Sequence, residues 1–166
     1  PNIWLAEPLQ GAFPDAWFLG IERDPFATVA SMLRHRGVAG WHQRWRDFPV
    51  PNRFLGITSE LAECYDDLSL TQQCAHRWLA HHRRLQALQG LMGQRLHVIQ
   101  YETLAQSPAA TIDHLQAFLD LQSPIATPEV ATGSLHKWRQ QLTPRQIDEI
   151  AGVIDGAATE NIPAAA

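Results

Sequence analysis

The apolar positions change their spacing along the chain, and each change marks an element. Ala16 to Glu22 is a short, almost wholly apolar run, which predicts a strand buried on both faces of a parallel sheet. Asp24-Pro25 then reads as a helix start, with Asp24 as N-cap and Pro25 at the first helical position. Val29, Met32 and Leu33 share one face of that helix, and Gly37 is predicted to end it. From Val38 to Ile57 the periodicity fails. Glycines, Pro49, Pro51, Trp41 and Trp45 predict a long, partly ordered loop there, of a length that often serves as a lid or binding segment.

Thr58 to Leu68 has the pattern of a short helix and Leu70 to Met92 that of a long one, with Trp78, Leu85 and Leu88 among its apolar positions. Arg95 to Gln100 reads as a second strand. An amphipathic helix follows from Ser107 with Pro108 in its first turn. After a Pro/Thr-rich connection, Thr143 and Pro144 are the predicted N-cap and first residue of a last helix. Strands alternating with helices predict an α/β fold with a parallel sheet flanked by helices, and such sheets bind ligands where strand C-termini feed helix N-termini. One domain over residues 1–156 and a small, fraying tail over 157–166 are expected.

Composition narrows the partners. At 166 residues the chain has room for one domain with a real core, and 45% hydrophobic against 18% charged residues is the balance of a globular protein. A net charge of −4 argues against a broad nucleic-acid-binding surface. No run reaches the roughly 18 apolar residues of a membrane helix. Cys64 and Cys74 carry no metal-ligand pattern and fit reduced thiols of a cytoplasmic protein, with a single disulfide between them as the alternative.

Arg23 is the residue that needs a reason. It stands just past the first strand, and Ser31 follows eight residues later, about two turns into the helix. A planar guanidinium, a hydroxyl and nearby helix amides make a phosphate site. The bland alternative is a helix start whose arginine pairs with a surface acid and whose serine does nothing.

FPDAWFLGIERDPFATVAS, residues 13–31, resembles the 3′-phosphate-binding segment of the sulfotransferases that use 3′-phosphoadenosine 5′-phosphosulfate (PAPS). There a strand delivers Arg-Asp-Pro and a serine follows eight residues after the arginine. QYETLAQSPAATIDHLQAFLDL from Gln100 resembles the same family's Tyr-Glu-x-Leu strand end and the helix beyond it, and SLHKWRQQLTPRQ from Ser134 its late Lys/Arg-Trp-Arg stretch. Pro1-Asn2 fits the end of a Lys-x-Pro-x-Asn motif that precedes the Arg-Asp-Pro strand. The resemblance implies a P-loop-like α/β fold that binds PAPS, or its product PAP, without a metal. It implies that Arg23 and Ser31 hold the 3′-phosphate, that Tyr101 lies near the nucleotide, and that Lys137 or Arg139 closes over its phosphates. Glu102 is expected to be a structural hydrogen-bond acceptor.

The family's loop that cradles the 5′-phosphosulfate has no counterpart here, nor has the segment that usually supplies the acceptor-activating base. The chain thus resembles the C-terminal two-thirds of such a domain. His35 and His42 flank the post-helix loop and are candidates for the base. Arg34, Arg36, Arg44, Arg46 and Arg53 make that region basic, as an anionic acceptor or plain solvated charge would each explain. His76 and His81 are five apart with no acidic partner, so zinc is not expected. The expected function is sulfuryl transfer from PAPS to a hydroxyl- or amine-bearing small molecule, lipid, sugar or polyketide. The alternatives are a non-catalytic nucleotide-binding or interaction domain of the same fold, and a P-loop kinase relative.

Overall fold

The computed structural model describes residues 2–127, 129–130 and 132–160. In chain order its helices are α1 (Ala6–Ala12), α2 (Pro25–Leu33), α3 (Arg36–Gln43), α4 (Ser59–Ala62), α5 (Leu70–Met92), α6 (Tyr101–Gln106), α7 (Pro108–Phe118), α8 (Trp138–Gln141) and α9 (Pro144–Glu160). Strand β1 (Phe18–Glu22) lies between α1 and α2, and β2 (Leu96–Gln100) between α5 and α6. The chain divides into two compact units, one of residues 1–24 and 82–135, the other of residues 25–81 and 136–166. Helix α5 gives its residues through His81 to the second unit and the rest to the first.

The first unit holds the sheet. β1 and β2 pair in parallel, with Phe18 opposite Leu96, Gly20 opposite Val98 and Glu22 opposite Gln100. Gly20 lets α5 come close: a Cβ there would stand 2.8 Å from a methyl carbon of Leu85, whose side chain would have to shift. A small core of Ala6, Leu88 and Met92 packs with Phe18 and Leu96 beneath it. One expectation is corrected here. β1 is not buried on both faces, because Leu19 and Ile21 are exposed while Phe18 and Gly20 are half-buried. A parallel strand is covered on two faces only when layers flank both, and among the described residues this sheet has two strands.

The second unit is helical. Val29, Ala30, Val38, Cys74, Ala75, Leu142 and Ile150 form its main core, and Trp45, Leu55, Ile57 and Tyr65 a second one. Two reciprocal caps start its long helices. Gln72 N–H donates to Ser69 Oγ while Ser69 N–H donates to Gln72 Oε1, and Thr143 and Gln146 repeat the arrangement at α9. Gly37 does not end α2. The helix stops at Leu33, and Gly37 sits in the first turn of α3, which occupies part of the expected loop. The apolar side of α3 uses a histidine: Val38 and His42 are buried, followed by Trp45. A polar residue in that stripe hides the period. Helix α9 runs to Glu160, past the expected start of the tail at residue 157; residues 161–166 and Pro1 of the Pro1-Asn2 reading lie outside the described residues.

Candidate functional site

Parallel register decides what meets Arg23. Since Glu22 pairs with Gln100, the residues that follow, Arg23 and Tyr101, emerge side by side at the C-terminal ends of both strands. The Arg23 guanidinium carbon lies 4.6 Å from the centroid of the Tyr101 ring. Such a cation–π contact helps hold an arginine in place and stabilises by about 0.5–1 kcal/mol where half exposed. Two nearby carboxylates, Glu22 and Glu102, have partners of their own. Glu22 pairs with His82 and accepts a hydrogen bond from Gln100 Nε2 at 2.6 Å. Glu102 Oε1 accepts from the backbone amide of Asp24 at 3.1 Å. That contact fixes the turn that leads from β1 into α2.

The remaining candidates belong to the second unit. Ser31 is exposed on α2. Lys137 and Arg139 are exposed on either side of Trp138, whose ring stacks on Phe26 of α2 at 5.0 Å and 22°. Arg139 folds over that indole, 5.3 Å from its centroid. The stacking packs α8 on α2, so Ser31, Lys137 and Arg139 ride on one helical pair, and Arg23 and Tyr101 on the strand ends.

The two candidate histidines are placed differently. His35 is the N-cap of α3, its Nδ1 accepting from the amide of Val38 at 3.3 Å. His42 is 1% exposed and its Nδ1 lies 2.7 Å from the Tyr65 hydroxyl. Burial first, and then the Arg77 charge, lower its pKa to about 4, so it is neutral at pH 7 and shut away from an incoming acceptor. His81 Nε2 bonds the carbonyl of Phe54 at 3.0 Å. Of the five arginines of this region, Arg46 pairs with Asp66 and Arg44 Nε donates to Gly40 O at 3.4 Å. Both cysteines are free thiols.

One buried polar grouping escaped the sequence reading. Arg77 is buried in the second unit among Trp41, Phe54, Tyr65 and Cys74. The available signal was position: on α5 it falls three residues after Cys74 and two after Ala75, within the buried stripe, where an arginine is out of place. Among the described residues no three His, Cys, Asp or Glu side chains gather as a metal site would require, and no helix is long and apolar enough to cross a membrane.

A sulfotransferase-family model matches residues 1–124. Arg23, Ser31 and Tyr101 lie inside that span and Lys137 and Arg139 beyond it. No curated protein and no solved structure matches the chain.

Proposed function

The chain belongs to the sulfotransferase family, and we propose that it binds PAPS and serves sulfuryl transfer to a hydroxyl or amine acceptor. In that reaction the acceptor oxygen or nitrogen attacks sulfur, the bond from sulfur to the 5′-phosphate oxygen breaks, and PAP leaves with the electron pair. Positioning and charge stabilisation dominate such group transfers. The observation that carries the reading is Arg23, fixed by Tyr101 at the C-terminal ends of two parallel strands, which is where open α/β sheets take their ligands. A guanidinium there suits a dianionic 3′-phosphate, because its forked donors match two oxygens at once. Ser31 adds a hydroxyl donor, and Lys137 or Arg139 a further cation.

The fold on this reading is the P-loop-like one of the family. The acceptor is a small molecule, lipid, sugar or polyketide. Free thiols at Cys64 and Cys74 are in keeping with a reducing cytoplasm. A second reading, nucleotide binding without transfer, draws on the placement of His35 as a cap and His42 in a core. Nucleotide selectivity separates these from a kinase relative. Adenosine 3′,5′-bisphosphate is expected to raise the melting temperature more than AMP does, and Ser31→Ala to narrow the gap. Stabilisation by magnesium-ATP with none by the bisphosphate would favour the kinase. Sulfated product formed from PAPS, in step with released PAP, distinguishes the enzyme from the binding domain.

A further inference from the structure

Arg77 is a buried cation without an anion. It is 6% exposed, yet among the described residues no carboxylate pairs with it, and its Nε and Nη1 atoms are buried with no hydrogen-bond acceptor. Its guanidinium carbon lies 5.1 Å from the Trp41 ring centroid and 4.4 Å from that of Phe54. Rings attract the charge but accept none of the in-plane N–H groups. A buried charge with unmet donors is strongly unfavourable unless a counter-charge meets it.

The neighbours do not supply one. Tyr65 and Cys74, both fully buried, are held in their neutral forms, the thiol with its pKa pushed up to about 12 by burial. His42 carries a second unmet atom: with Nδ1 on the Tyr65 hydroxyl, its Nε2 is buried and has no partner among the described residues. Arg77 is close enough to act on His42, Tyr65, Cys74 and His81 together.

From the unmet N–H groups of Arg77 and the unmet Nε2 of His42, lodged among aromatic rings, we infer that this cluster is a binding site for one oxyanion group, a carboxylate or sulfate in size and charge. The anion accepts from Arg77 Nε and Nη1. It also accepts from His42 Nε2–H, in the tautomer whose Nδ1 accepts a hydrogen bond from the Tyr65 hydroxyl. Phe54, whose ring lies against the guanidinium, places the loop of residues 48–57 at the border of the site. This site lies in the second unit and is independent of Arg23, so the nucleotide reading can fail while it stands.

The test uses the whole chain carrying Arg23→Ala, which removes the other anion-seeking arginine. Sulfate and acetate are titrated separately against chloride at matched ionic strength, with the ring resonances of His42 followed by NMR and the unfolding midpoint measured alongside. The expected result is a saturable shift of the His42 signals with sulfate, acetate or both, together with a rise in midpoint. Adding Arg77→Met abolishes the response and makes the anion-free protein more stable, since an uncompensated charge is gone. A purely structural arginine predicts the reverse, a less stable variant. His42 signals that move with neither anion in the Arg23→Ala protein overturn the proposal, even if Arg77→Met fails to fold. An equal response with and without Arg77 overturns it too.

Discussion

At the scale of single residues, burial decides which chemically able groups can act. Cys64 is exposed and Cys74 wholly enclosed beside Ala75 and Val29. A neutral, buried thiol is a poor nucleophile. Maleimide at pH 7 should therefore modify the native protein once, at Cys64, and reach Cys74 only in denaturant, as mass spectrometry of the two samples will show. His42 makes a second prediction. Its folded pKa of about 4 lies below the ordinary 6.5, so between those values the unfolded chain binds the extra proton. The stability that neutral His42 contributes is thus complete above about pH 6.5 and lost as the pH falls toward 4, by up to about 3 kcal/mol. Asp66 and Glu149, whose hydrogen-bond partners depress their pKa values, lose stability in acid as well. His42→Asn, which keeps a polar contact toward Tyr65, isolates the histidine. Urea unfolding at pH 7 and pH 4.5 should show a smaller pH difference in the variant than in the parent, and an equal difference would assign the acid sensitivity elsewhere.

At the scale of elements, the turn of residues 52–57 is held by a reciprocal pair of backbone hydrogen bonds between Asn52 and Ile57, and by the Leu55 amide on Asn52 Oδ1. Gly56 has φ +75°, and a Cβ there would stand 2.4 Å from the carbonyl oxygen of His76 on α5. Left-handed strain and a backbone clash add, so Gly56→Ala should cost about 2–4 kcal/mol, read as a lower urea midpoint with the m-value kept. Much of this layer was legible beforehand. The bounds of α5 agree residue for residue, and α2, α7 and α9 begin at Pro25, Pro108 and Pro144, because proline at the first helical position is a local signal. α3 was not legible, since its buried side includes His42, a residue that patterning counts as polar. The open face of β1 was not legible either, because an apolar run states what a strand can bury and not what is there to cover it. Arg23 beside Tyr101 was not read beforehand, since it depends on the register that sets Glu22 opposite Gln100. The Arg77 cluster was not either, because its members come from α3, the 65–67 turn, α5 and a loop, far apart in sequence.

At the scale of the whole molecule, the family match and the placement of Arg23 carry the functional account, while Ser31, Lys137 and Arg139 reside in the other compact unit. With a net charge of −4, attraction of a highly anionic nucleotide has to come from local arrangement and not from the protein's overall field. Loss of one charge-assisted bond to a phosphate costs about 1.5–3 kcal/mol, roughly ten- to a hundredfold in affinity. The decisive measurement is calorimetric titration of the parent protein and of Arg23→Ala with adenosine 3′,5′-bisphosphate and with AMP. The account predicts that the parent prefers the bisphosphate and that the variant loses this preference while its AMP affinity stays within a few-fold. A bisphosphate preference that survives in the folded Arg23→Ala protein, or a parent that binds both nucleotides equally, would contradict it.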